Sequence, residues 1–428
     1  MTRSTLLRGT VCTLLLSAFS CMHALAEPVP RSIDEIISLA LKQNAELAAL
    51  EKEAAAKQSL AIQAGTISNP TLEFQVATGS LTGSPEERSI SIGVNQELSL
   101  NGKLRLRREA LQYEAEVVQR QRDNAARLLK DEVGTVALEF LLVSKRKELA
   151  EDLVKLNRDL VTITGERFKV GDIPELELNL ARVEQARAES RLLEVERERG
   201  PLRIKIASLT ALDENDINLS DMFPAPVPPS NSGDLVRHAL ISRPDLQALA
   251  RDYDKAGTET RLADAEALPN LTAGLFVQWQ RGSTEVGGMS STSSDTQLGL
   301  RVSMPIPLFD RNRSGKAASQ SRLAAAGSRR LALERSITAE VESSLSRLSS
   351  AERIAGVFEQ GIIPQLNENL KLTQEAYRLG EVGILSVIDE QKKFFEVNDS
   401  YLSAQHNRRM AFIKLESAVS KDLTGGAK

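Results

Sequence analysis

The sequence predicts a mainly α fold with a membrane β-barrel portion, built from one helix–strand–strand–long helix–helix unit written twice. Three observations predict it. The same order of signals recurs at an offset of about 200 residues. Four short segments alternate apolar and polar residues, and most of the remaining chain is rich in Ala, Leu, Glu, Gln and Arg, which favour long helices.

The repeat is legible residue by residue. Ala40-Leu41 followed by Glu46-Leu47 is matched by Ala239-Leu240 followed by Asp245-Leu246. Asn69-Pro70-Thr71-Leu72 is echoed by Leu268-Pro269-Asn270-Leu271, and Phe168-Lys169-Val170-Gly171-Asp172 by Tyr377-Arg378-Leu379-Gly380-Glu381. The first copy is expected over 27–212 and the second over 233–428. Between them, 213–232 holds Pro224, Pro226, Pro228 and Pro229, which remove amide donors and favour an extended linker.

Residues 1–26 read as a secretory signal peptide. Arg3 and Arg8 precede the apolar run Val11 to Phe19, and Ala24-Leu25-Ala26 supplies the small-x-small cleavage pattern. Both cysteines, Cys12 and Cys21, fall inside it, so cleavage after Ala26 leaves no thiol. Lipidation of Cys21 is the rival reading; Ala18 stands where a lipidation signal usually has leucine. Loss of Arg3 and Arg8 takes Lys+Arg from 54 to 52 against 58 Asp+Glu, a net charge of about −6 that disfavours nucleic acid. No later stretch approaches the ~20 apolar residues of a transmembrane helix.

Within the first copy, Ser32 with Glu35 three residues on has capping-box spacing, opening a helix that is expected to run to about Ile67. Strands follow at about 70–79 and 88–99. Leu72, Phe74 and Val76, then Ile90, Ile92, Val94 and Leu98, oppose Glu73, Gln75, Ser89, Ser91, Asn95 and Glu97. The second copy repeats this at about 269–281 and 295–308, with Leu271, Ala273, Leu275, Val277 and Trp279, then Leu298 to Leu308, against Thr272, Gln278, Gln280, Gln297, Arg301 and Ser303. The Gly- and Ser-rich stretch from Arg281 to Asp295 reads as an exposed turn between them.

Such strands suit a soluble sandwich or a barrel in lipid. Nothing else in the chain supplies a second sheet, which favours lipid. Four strands cannot close a barrel, and an open edge is forbidden in hydrocarbon, so the chain must oligomerise. The long helices carry heptad-like seams: Leu129, Val133, Val136, Phe140 and Val143, then Leu149, Leu153, Leu156, Leu160 and Ile163. From Lys103 to Glu166 a helix would span roughly 90 Å, the length of a tube wall or a free coiled coil. Pro364 is expected to kink the matching helix of the second copy.

The chain resembles the TolC family of outer-membrane efflux proteins over essentially its whole mature length, and more narrowly the CzcC-type branch that serves heavy-metal pumps. Ser68-Asn69-Pro70, Gln96 to Lys103 (QELSLNGK) and Met304 to Asn312 (MPIPLFDRN) carry the resemblance. It implies a homotrimer whose four strands per chain form one twelve-stranded barrel, continued by a periplasmic α-helical barrel. It also implies a periplasmic membrane-fusion adaptor, a proton-driven inner-membrane pump of the resistance-nodulation-division class, and divalent heavy-metal cations as cargo. A drug or organic-compound exporter is the alternative within the family. A periplasmic coiled-coil adaptor and a soluble hydrolase are the alternatives outside it.

Candidate working residues follow from both sources. Val170-Gly171 and Leu379-Gly380 sit where each long helix reverses; glycine supplies the positive φ of a helix end, and the resemblance adds docking onto the adaptor. Glu177 and Asp389 resemble the family's acidic gate residues at the periplasmic entrance, where threefold repetition would favour cations. Their other reading is a solvated helix charge, and Ser386 stands where a second acid is common. Lys103, Arg105, Arg107 and Arg108, and likewise Arg311, Arg313 and Lys316, follow a strand at a helix start, where cations oppose the dipole and ask for an anion. Phospholipid headgroups are one such anion source and plain solvation the other reading. Trp279 suits an interfacial belt.

No catalytic constellation, phosphate-cradling glycine loop or metal cage is legible. Outside the leader only His238 and His406 remain, with no cysteine. The expectation is therefore a non-enzyme without cofactors, in the outer membrane of a Gram-negative cell.

Overall fold

The computed structural model describes residues 31–81, 86–219, 231–287 and 289–423. The expected leader and most of the Pro-rich linker, residues 220–230, lie outside them. The chain divides into two compact units. One comprises Met1–Gln43, Val133–Ala225 and Ala355–Arg409; the other comprises Asn44–Glu132, Pro226–Ile354 and Met410–Lys428.

The first copy reads α1 (Ile33–Gln43), α2 (Ala45–Ala64), β1 (Thr71–Thr78), β2 (Arg88–Leu98), α3 (Lys103–Lys169) and α4 (Glu175–Thr210). The second reads α5 (Ser232–Ser242), α6 (Pro244–Ala265), β3 (Leu271–Val286), β4 (Met289–Ser303), α7 (Arg313–Val357), α8 (Ile363–Arg378) and α9 (Ile384–Val419).

The capping box at the start of α1 forms. The Glu35 amide donates to Ser32 Oγ and the Ser32 amide to Glu35 Oε2, each at 3.2 Å. The single helix expected to about Ile67 is instead two. Asn44 leaves helical geometry (φ −68°, ψ 118°) and accepts from the Leu47 amide at 3.0 Å, capping α2 and breaking α1. Arg243-Pro244 makes the corresponding break in the second copy, with proline at the first helical position where no amide is needed.

Four antiparallel strands form one sheet in the order β1-β2-β3-β4. The β3–β4 hairpin departs from the expected 269–281 and 295–308. β3 runs on to Val286 and β4 begins at Met289, so most of the expected loop is paired strand. Ser291, Thr292, Ser293 and Ser294 carry no apolar alternation, yet a backbone ladder needs none once its hairpin partner is in register. At the other end β4 stops at Ser303, because Pro305 and Pro307 cannot donate to a ladder.

In the first unit, α3, α4, α8 and α9 enclose a core of Leu160, Ala181, Tyr377, Ile384, Val387 and Ile388. The upper seam of α3 is buried as expected at Val133, Val136, Phe140 and Val143. Lower down the buried line is Ala150, Val154, Asn157, Leu160 and Thr164, leaving Leu149, Leu153, Leu156 and Ile163 half-buried at its shoulders. In the second unit Leu235, Leu246, Ile337, Val341, Leu348, Phe412 and Leu415 form the helical core.

Pro364 perturbs its helix through the turn before it. Phe358–Ile362 is π-helical, the Ile363 amide reaching Phe358 O, which separates α7 from α8.

Candidate functional site

The sheet separates two chemistries. Three registers of one face read Leu72/Val94/Leu275/Leu300, Phe74/Ile92/Val277/Leu298 and Val76/Ile90/Trp279/Thr296. Most large apolar residues on that face from Leu72 to Val302 are between 39% and 78% exposed, and Leu271 and Val277 are half-buried. The next register outward is Thr78/Arg88/Arg281/Ser294, so Trp279 sits one step inside a polar border. From Leu98 to Ile90 the apolar band runs ~26 Å along the strand at about 3.3 Å per residue. At the usual barrel tilt that is about 20 Å of height, near the roughly 25 Å apolar band of outer-membrane barrels. Water does not tolerate such a face, and lipid does not tolerate the edges of β1 and β4, each paired on one side only among the described strands.

The cations after the strands divide. Lys103 is 3% exposed and its ammonium is held by the Leu268 carbonyl and by Asn270 Oδ1 at 2.6 Å, so it does not reach a headgroup. This corrects the expectation for Lys103: the αL residues Asn101 (φ 57°) and Gly102 (φ 68°) turn the chain so that the side chain points back into the approach to β3. Arg107 meets Glu266 at 2.9 Å and Lys316 meets Asp264 at 3.0 Å; the anions that the dipole argument asked for come partly from the end of α6. Arg105, Arg108, Arg311 and Arg313 are exposed.

In the first unit the two helix reversals share one geometry. Gly171 (φ 76°) follows a bond from the Asp172 amide to Arg167 O at 2.9 Å, and Gly380 (φ 78°) one from the Glu381 amide to Ala376 O at 2.8 Å. Both are six-to-one closures that satisfy the last helix carbonyls. Val170 and Leu379 beside them are 80% and 75% exposed. Arg167 joins the two tips, donating through Nη1 to the Tyr377 carbonyl at 2.9 Å and through Nε to Asp172 at 2.6 Å.

The two acids expected at the gate, Glu177 and Asp389, each have a different neighbour. Glu177 lies near the Arg167–Tyr377 contact; burial, and then the nearby Glu177 carboxylate, push the Tyr377 phenol above its ordinary pKa. Asp389 is exposed and paired with Lys393 one turn on, at 2.7 Å. Sequence reasoning passed over Arg167. Its partner position in the repeat is Ala376, an asymmetry visible in the text but mute without the contact.

Among the described residues there is no group of three or more His, Cys, Asp or Glu side chains that could hold a metal ion. No described helix is long and apolar enough to cross a membrane.

A family model described as outer membrane efflux protein matches residues 36–211 and 235–420, one match on each copy. The chain belongs to this family. It is therefore a channel component and not an enzyme, and the adaptor and hydrolase alternatives fall away. The chain is 23% identical over 382 residues to the cobalt-zinc-cadmium resistance protein CzcC of Cupriavidus metallidurans, covering 87% of this chain and 86% of that one. It is also 23% identical to the pyoverdine export outer membrane protein OpmQ of Pseudomonas putida, over 90% of this chain and 85% of that one. The solved structure of CusC superposes with a TM-score of 0.75 at 16% identity, covering 95% of this chain and 96% of the other, which gives the barrel-plus-helical-tunnel fold.

Proposed function

We propose that the chain is the outer-membrane exit duct of a tripartite efflux pump whose cargo is divalent heavy-metal cations. The observation that carries the duct reading is the exposed apolar face bounded by two open strand edges. Three copies pairing β4 of one with β1 of the next would leave no edge in lipid and give twelve strands around a wet lumen.

In this reading the reversals at Val170-Gly171 and Leu379-Gly380 meet a periplasmic membrane-fusion adaptor, which links the duct to a proton-driven inner-membrane pump. Their exposed apolar residues and shared cap geometry support that docking. Glu177 and Asp389 serve as the acidic gate, and Arg105, Arg107, Arg108, Arg311, Arg313 and Trp279 mark the membrane interface. A cleaved leader delivers the chain to the periplasm.

The likeness to a cobalt-zinc-cadmium resistance protein supports metal cargo. A second reading, export of organic compounds, is supported by the likeness to a pyoverdine exporter at the same identity. Cells lacking the gene, exposed to a panel of metals, dyes and antibiotics, separate the two. Selective sensitivity to cobalt, zinc or cadmium is expected, and sensitivity confined to organic compounds overturns the metal cargo.

A further inference from the structure

The polar face of the sheet carries a charge pair that spans all four strands. Arg301 on β4 meets Glu73 on β1 at 2.5 Å, and Asn95 on β2 donates to the same Glu73 oxygen at 2.8 Å. The two charged residues stand on opposite edge strands, with β2 and β3 between them. Side chains of ordinary length meet across that gap only if the strands they cross leave them room.

Glycines keep the path low. Gly274 lies in register between Asn95 and Arg301, and a Cβ there would stand 2.0 Å from Asn95 Oδ1. Gly93 and Gly299 flank Phe276 in register, and a Cβ on Gly299 would lie 2.3 Å from the ring of Phe276. That ring is the large apolar group on a mostly polar face, lying over Gly299 with the Arg301 guanidinium 5.1 Å from its centroid. A ring under a cation and a carboxylate ahead of it fix where Arg301 points.

We infer that Glu73 and Arg301 set the ion preference of the barrel lumen, each charge cancelling the other on the water-facing wall. The inference rests on the duct reading, because it requires this face to line the pore. Both side chains stay about two-fifths exposed, so the pair remains in contact with lumen water. Threefold repetition would put three such pairs around the axis, where low-dielectric walls focus the field of any charge left over. Removing Arg301 leaves three carboxylates, and removing Glu73 leaves three guanidinium groups.

The test is reversal potential in a potassium chloride gradient across planar bilayers holding the purified full-length channel. Arg301→Gln is expected to raise cation-over-anion permeability on the order of threefold, and Glu73→Gln to lower it by a similar factor. The double variant and the swap Glu73→Arg/Arg301→Glu are expected to return the wild-type value. A conducting protein whose reversal potential ignores both single variants overturns the inference while leaving the duct intact. If Arg301→Gln loses its heat-modifiable assembly on gels and the swap regains it, the pair is a staple of the sheet, which also overturns the selectivity role. A wild-type protein that assembles and passes no current sinks the duct reading itself.

Discussion

Arg167 stands over the ring of Tyr377, its guanidinium carbon 4.9 Å from the centroid, while the same side chain donates to the Tyr377 carbonyl at 2.9 Å. One residue of the first copy thus holds the reversal of the second. A cation at the C-terminal end of a helix complements both the dipole and the carbonyls left without amide partners.

Replacing Arg167 with Ala should loosen the second reversal as well as the first, although the substitution is in the first. Loss of a charge-assisted bond at this site costs about 1.4 kcal/mol, a tenfold rise in local opening. Hydrogen exchange at the Gly380 and Glu381 amides reads it directly. Protection there equal to that of the wild type removes Arg167 from this role.

The glycines at the tips can be separated into turn and surface. A Cβ at Gly171 meets no atom within 4 Å, so substitution there adds strain from positive φ and no clash. Asn tolerates that conformation and Val does not. Gly171→Asn and Gly380→Asn should keep the fold and membrane abundance. If these tips dock onto an adaptor, resistance falls in the Asn variants while abundance holds; full resistance in both Asn variants assigns the glycines to geometry alone.

Much of the sheet was legible because one face of each strand meets a different solvent from the other, and Leu72, Phe74 and Val76 alternate for that reason. The tip of the β3–β4 hairpin was not, since Ser291 to Ser294 face water on both sides and leave no period to read. Phe276 was passed over for the opposite reason. It breaks the alternation, and only the register that places Gly299 beside it explains where its ring goes. Lys103 looked like its exposed neighbours in the text; the αL turn at Asn101-Gly102 that buries it is a three-dimensional fact. The gate acids remain residues picked by resemblance, since their pairing depends on copies that one chain does not contain.

Asp389 pairs with Lys393 along one helix face, so the two should act on conductance with opposite sign. Hydrogen bonding to Asp389, and then its charge, raise the Lys393 pKa. If Asp389 lines the entrance, Asp389→Asn lowers cation preference and Lys393→Gln raises it by freeing the carboxylate. Single-channel recordings with no change in either variant would return Asp389 to the solvated surface of α9.

The second unit contains a more deeply set pair whose loss should be visible in acid. Arg243, 4% exposed at its side chain, meets Asp245 at 2.6 Å and Glu340 at 2.6 Å, and also donates to the Ala418 carbonyl at the end of α9. Burial alone would raise the Asp245 carboxyl, but the hydrogen bonds and charge of Arg243, with Arg127 behind it, hold it below its ordinary value. A carboxyl depressed by folding contributes stability above its unfolded pKa near 3.9, and that contribution disappears as pH falls through the lower folded value. Asp245→Asn should therefore cost about 1–2 kcal/mol at neutral pH, because it removes one of the two carboxylates that meet the Arg243 guanidinium and leaves Glu340 as the other. The deficit should begin to shrink below about pH 4, where the unfolded carboxyl takes up its proton, and it disappears only as pH falls through the lower folded value. Thermal unfolding of the detergent-solubilised protein at pH 7 and pH 3 measures the change. An equal deficit at the two pH values would show that Asp245 acts through packing and its cap to the Leu246 amide, with its charge contributing nothing.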